Sequence, residues 1–232
     1  MQRLSEFITK IKSYMEKMFC YQCQETSRNE GCTIKGVCGK TADVANMQDL
    51  LLFLCKGISH YTVRLRTLGI EIPQINRFIT DSLFMTITNA NFDKNRFITR
   101  ILMAYEMRNA AKERLISAGG SVEGITYEGA FWSGETEDEM NVKSLEVGVL
   151  ASRDEDVRSL RELVTYGLKG MAAYAEHAYN LKYEQESIYA FMQQALVAVT
   201  NDTLSVDKLT ALVLETGKQG VEVMALLDKA NT

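Results

Sequence analysis

The chain has 232 residues, 46% of them apolar, and a formal net charge of −4, enough length and apolar content for one large core or two small ones. An acidic balance with no basic cluster argues against nucleic acid as a partner, because phosphate binding shows as a basic excess. No apolar run approaches the roughly 18 residues that cross a bilayer, and charges interrupt MQRLSEFITKIKSYMEK too often for a secretory signal, so no membrane partner and a cytoplasmic location are expected.

In chain order, residues 1–17 come first, with Leu4, Phe7, Ile8, Ile11 and Tyr14 at helical spacing, an amphipathic extension. Residues 19–40, FCYQCQETSRNEGCTIKGVCGK, then hold four of the five cysteines. Helical text follows. Over 47–69, Leu51, Leu54, Cys55, Ile58, Tyr61 and Leu65 share one face, and Gly69 stands where a C-terminal cap is expected. The same periodicity predicts helices over 95–117, 155–181, 185–200 and 206–230. Residues 119–140, GGSVEGITYEGAFWSGETEDEM, read as a linker whose acidic stretch 135–139 is a solvated face. The chain has a single proline, Pro73, and no segment alternates with period two for long. The expected class is all-α.

An internal repeat organises these helices. Gly36-Val37 aligns with Gly148-Val149, Asp49 with Glu162, Leu50 with Leu163, Lys56 with Lys169, Gly57 with Gly170 and Tyr61 with Tyr174. Ile87 to Asn89 likewise aligns with Val199 to Asn201. The expectation is two tandem three-helix bundles: residues 18–118, which include the cysteine loop, and residues 141–232, joined by 119–140. Where the first copy reads GVCGKTADV the second reads GVLASRDEDV, so Leu150 replaces Cys38. The loop is therefore an addition to one bundle.

Cys20, Cys23, Cys32 and Cys38 are the candidate metal ligands. In a reducing compartment closely spaced thiols are ligands or catalysts more often than disulfides. Four soft thiolates suit tetrahedral zinc or an iron–sulfur cluster. Structural zinc often uses two CxxC-like knuckles and only one is present, so the spacing favours iron–sulfur while leaving zinc open. The remaining chemistry-bearing residues read as structure. Cys55 sits among leucines as a small buried hydrophobe, and His60 and His177 are ordinary helix residues. The Lys56-Gly57 and Lys169-Gly170 pairs mark close helix crossings. Trp132 either anchors the linker or faces neighbouring domains. No catalytic residue is expected.

FCYQCQET with GCTIKGVCGKTADVANMQDLL, and later LASRDEDVRSLRELVTYGLKGMAAYAEHA and VTNDTLSVDKLTALVLETGKQGVEVMALLDKANT, closely resemble the N-terminal part of the hybrid cluster proteins, also called prismane proteins or hydroxylamine reductases. The resemblance runs from about Met18 to the last residue. It implies that Cys20, Cys23, Cys32 and Cys38 hold a cubane [4Fe–4S] cluster, wider spacings going with [2Fe–2S]. It also implies electron transfer from a donor protein toward a hybrid cluster that the family uses on hydroxylamine or nitric oxide. The His, Glu and Cys ligands of that second cluster lie in downstream domains, which are expected beyond these 232 residues.

Overall fold

Helix α1 (Ala42–Thr67) is buried around most of its circumference, and Met47, Leu50, Leu51, Leu54, Ile58, Tyr61 and Leu65 are shut off from solvent. Each such aliphatic side chain contributes roughly 1.5–3 kcal/mol through burial, so α1 is the axis of the core. It begins earlier than the periodicity predicts, and it ends as expected at Gly69, whose φ of +70° lets the Ile70 N–H reach back to the Leu65 carbonyl. In the computed structural model, which describes residues 17–232, six further helices follow: α2 (Pro73–Met85), α3 (Lys94–Ser117), α4 (Glu137–Ser144), α5 (Glu155–Asn180), α6 (Glu186–Ala198) and α7 (Val206–Asn231). Among the described residues the nearest approach to a strand is one bridged pair, Cys20 and Cys32. The class is all-α. The predicted extension falls outside the described residues except for Lys17.

Capping explains several boundaries. The Asp93 carboxylate accepts from the Asn95 N–H at 2.9 Å, Asp154 from Val157 at 3.0 Å and Ser205 from Lys208 at 3.4 Å, opening α3, α5 and α7. The periodicity missed two helices. Helix α2 carries Pro73 in its first turn, where a missing N–H costs nothing. Helix α4 converts the supposed acidic face into a first turn, because Thr136 and Glu139 form a reciprocal capping box. The motif T-E-D-E at 136–139 was the readable signal.

The helix lengths of the two sets match closely, 26, 13 and 24 residues for α1 to α3 and 26, 13 and 26 for α5 to α7. Helix α1 packs most extensively on α3, and α5 on α7. The short middle helices cross over, α6 lying against α1 and α2 against α5. One hydrophobic core accordingly runs through both sets, from Val44 to Val223. Polar ties reinforce the crossing: Arg66 of α1 binds Glu186 and Gln193 of α6, while Arg77 of α2 pairs with Glu176 and lies 3.5 Å over the Tyr179 ring of α5.

The 119–140 segment is clamped onto this core. Trp132 packs edge-on against Phe53 and Tyr105, at 6.5 and 6.1 Å between ring centres, which settles it as an anchor. A Cβ on Gly57 would sit 2.1 Å from the Gly129 carbonyl oxygen, so this glycine admits the linker turn (Glu128–Ala130) against α1. The expected helix crossing is thus a helix–linker contact at Gly57, and Gly170 faces open space.

Candidate metal centre

The cysteine loop is fastened to the first turns of α1. The Cys20 N–H donates to the Cys32 carbonyl at 3.1 Å and the Cys32 N–H to the Cys20 carbonyl at 2.9 Å, which sets these two side by side. Below them Met18, Cys32 and Ala45 form a small separate core with Cys20 and Ala42 against it, and the Asn46 amide donates to the Lys17 carbonyl at 3.0 Å. The second half of the loop turns at Gly36, whose N–H donates to the Lys40 carbonyl at 2.8 Å, and at Gly39, with φ of +95°. That turn leaves Cys38 exposed, whereas Cys20 and Cys23 are partly buried and Cys32 is buried. Among the described residues no three Cys, His, Asp or Glu side chains converge closely enough to grip a single ion. Four thiols thus share one loop without being drawn onto one point.

The local field differs at each sulfur. Burial pushes the Cys32 thiol up, but the N–H groups of Ser27 and Val37, the Thr26 hydroxyl and the Lys40 charge outweigh it and hold the thiol below its ordinary range. Thr26 Oγ1 lies 3.7 Å from Cys32 Sγ and donates to the Cys20 carbonyl at 3.1 Å. Cys20 is pushed up by burial despite Lys40. Cys55, fully enclosed in the main core, is pushed up to about 12 by burial, as an inert packing thiol should be.

Beneath the loop lies a set of charges that periodicity did not single out. Lys40 is 1% exposed and donates to the Gln48 side-chain amide oxygen, Oε1, at 2.6 Å. Further along α1, Asp49 and Lys56 share an electrostatic neighbourhood with Glu162 and Lys169 of α5. Burial first, then Glu162, hold the Asp49 carboxyl at about 7; Lys169, buried and donating to the Thr86 carbonyl at 3.4 Å, is brought down to about 8 by burial. These are the residues the repeat aligned, Asp49 with Glu162 and Lys56 with Lys169. That alignment was the available signal, and reading the Lys-Gly pairs only as packing passed over it. A cleft of about 1000 Å³ opens between α1 and α5, with Asp49, Lys56, His60, Arg161 and Glu162 on its walls. His60 stacks on Tyr127, and its ring Nε2 lies 3.0 Å from the Thr200 hydroxyl oxygen. His177 meets the edge of Phe84.

Residues 18–232 match the Prismane/CO dehydrogenase family. The chain belongs to that family. It is 57% identical to the hydroxylamine reductase of Parabacteroides distasonis and 55% identical to that of Desulfitobacterium hafniense strain Y51, each over 215 residues, 93% of this chain and 39% of the relative. Against the hydroxylamine reductase of Clostridium tetani the identity is 51% over 238 aligned positions, 93% of this chain and 42% of the relative. The chain therefore spans about two fifths of the length of these relatives. The match begins at Met18, so all four loop cysteines fall inside it. Prismane family membership implies iron–sulfur cofactors, and the donor set of the loop suits one: its candidate ligands are all thiols, and the N–H groups around Cys32 favour a thiolate. Among the described residues no helix is long and apolar enough to cross a membrane.

Proposed function

We propose that this chain is the electron-transfer part of a hydroxylamine reductase of the hybrid cluster type, holding one [4Fe–4S] cluster on Cys20, Cys23, Cys32 and Cys38. What supports the reading is the Cys32 sulfur, which lies among the N–H groups of Ser27 and Val37 inside a loop of four cysteines. Donors of this kind stabilise a thiolate ligand and make it easier to add negative charge at the site. When bound, the group supplies reversible one-electron storage.

The chain's own residues do the rest. Cys20 and Cys32, fixed by their paired backbone hydrogen bonds, give a rigid half of the ligand set, and Cys38 on its exposed turn gives an adjustable one. Ile34 and Val37, just before Cys38 in the loop, are exposed, and an electron-donor protein would approach there. In this reading substrate reduction falls to downstream hybrid-cluster domains, which are the second partner. The setting is the cytoplasm.

The test is the iron and sulfide content of anaerobically purified protein, with the absorption near 400 nm before and after dithionite. About four irons and four sulfides per chain, with absorption that bleaches, are the expected result; zinc without iron would overturn it. With its cluster loaded, the chain should exchange electrons with a reduced dye yet consume no hydroxylamine above a Cys20→Ala control, because four cysteines saturate the irons and leave no position for substrate.

A further inference from the structure

Lys40 is a buried cation without a matching anion. It is 1% exposed, it makes no ion pair with a carboxylate among the described residues, and its single hydrogen bond runs to Gln48 Oε1 at 2.6 Å. An ammonium in that position is costly unless a negative charge lies within reach. The carboxylates nearby do not supply the balance. Lys40 shares its surroundings with Asp49, Glu162, Lys56 and Lys169, three lysines against two carboxylates. Its field falls also on Cys20 and Cys32, and the Cys38 sulfur and the Lys40 Cβ both lie close to Gly36, at 3.0 and 3.1 Å from where a Cβ on that residue would stand.

Gln48 adds an independent observation. An ammonium can only donate, so the amide oxygen of Gln48 must face Lys40 and the NH₂ group must point elsewhere. That Nε2 is buried in a residue 1% exposed and has no hydrogen-bond partner. A spare buried donor beside an unpaired buried cation describes a cradle for negative charge.

We propose that Lys40, held in place by Gln48, is the built-in counter-ion of the iron–sulfur group on Cys20, Cys23, Cys32 and Cys38, and sets how readily that group accepts an electron. The inference rests on the cluster reading above. Reduction adds one negative charge to a site already negative, so a fixed buried cation favours the reduced form more than the oxidised one. Gln48 is the positioning residue: its side-chain oxygen fixes the ammonium. In the metal-free chain the relation inverts, since the unpaired ammonium is then a net cost.

The experiment compares the wild-type chain with Lys40→Met and Gln48→Glu, each reconstituted anaerobically and assayed for iron and sulfide, and then titrated by electrochemical potential with the reduced-cluster EPR signal as readout. Gln48→Glu retains a partner for Lys40 while cancelling its charge. Both loaded variants should accept the electron at least tenfold less readily, a fall of about 59 mV for a one-electron couple. Metal-free Lys40→Met should unfold at a higher urea concentration than metal-free wild type. Loaded variants with the wild-type potential would overturn the proposal, as would a metal-free Lys40→Met less stable than wild type, the mark of a purely structural anchor. If Lys40→Met does not load, the Gln48→Glu potential decides alone. Wild-type protein that takes up no iron would instead remove the cluster reading, and this inference with it.

Discussion

The Arg66 guanidinium and the Glu186 carboxylate meet at 2.6 Å across 120 positions of sequence. Asn76 and Gln193 close the arrangement: the Asn76 amide donates to Glu186 at 2.8 Å and the Gln193 amide to the Asn76 oxygen at 2.8 Å. One guanidinium thereby binds α1, α2 and α6 together. Arg66 is mostly buried and Glu186 about one-third exposed, so the pair lies between an exposed one, contributing up to about 1 kcal/mol, and a buried one, whose disruption costs about 3–5 kcal/mol. Arg66→Met should lower stability by about 2 kcal/mol, read from the urea midpoint. A loss below about 0.5 kcal/mol would mean that water replaces the network without penalty.

Gly57 and Gly170 occupy equivalent places in the repeat and should respond oppositely to alanine. A Cβ at Gly57 meets the Gly129 carbonyl at 2.1 Å, so Gly57→Ala must lift the linker turn from α1, at a cost of about 3 kcal/mol. A Cβ at Gly170 meets nothing within 4 Å inside a long helix, so Gly170→Ala should stabilise by about 0.5–1 kcal/mol. Thermal unfolding of the two variants side by side checks the sign. Equal effects would mean that the linker does not approach α1 as closely as described.

Such contrasts show where the sequence was legible. Helix identity was readable wherever apolar residues recur at three and four, as at Leu51, Leu54 and Ile58, because burial of a stripe leaves that period behind. Helix α2 escaped since its apolar positions begin at a proline, and α4 since its first turn is wholly acidic. The loop cysteines were legible by spacing. The ammonium of Lys40 and the amide of Gln48 were not, because a loop lysine and a helical glutamine both read as solvent-facing and only three-dimensional packing encloses them. The crossing of α2 and α6 between helix sets was likewise hidden, since periodicity says which face is buried and not against what.

Asp49 should leave a signature in the pH dependence of folding. Its carboxyl is held at about 7 by burial and by Glu162, well above the ordinary value of 3.8. The folded chain therefore keeps a proton that the unfolded chain releases, and this contribution is full below about pH 4 and lost as the pH rises through about 7. Lys169, brought down to about 8, acts in the alkaline window with the opposite slope. Asp49→Asn should flatten the fall in urea midpoint between pH 4.5 and 7.5 relative to wild type. Parallel slopes would show that Asp49 does not titrate in this window.

Cys32 and Cys55 are both buried thiols, and they should separate cleanly. Cys32→Ala should abolish iron uptake while leaving most of the helical circular dichroism, because its side chain lies in the small core under the loop and outside the main one. Cys55→Ala should retain iron and cost about 1–2 kcal/mol through the cavity it leaves in the main core. Iron loss in both would place Cys55 within reach of the metal centre.

The exchange of α2 and α6 between the two helix sets has a kinetic meaning. A chain cut between α3 and α5 would leave each fragment with a short helix whose main partner sits on the other fragment. Neither half would bury its apolar faces alone, and mixing the halves should restore structure that each lacks. In the intact chain the contacts that complete the core link segments more than 100 residues apart, as Arg66 to Glu186 does. Helices will form early and locally, but closure waits on that long loop, so folding should be slower than the all-helical content suggests and should end in one concerted step.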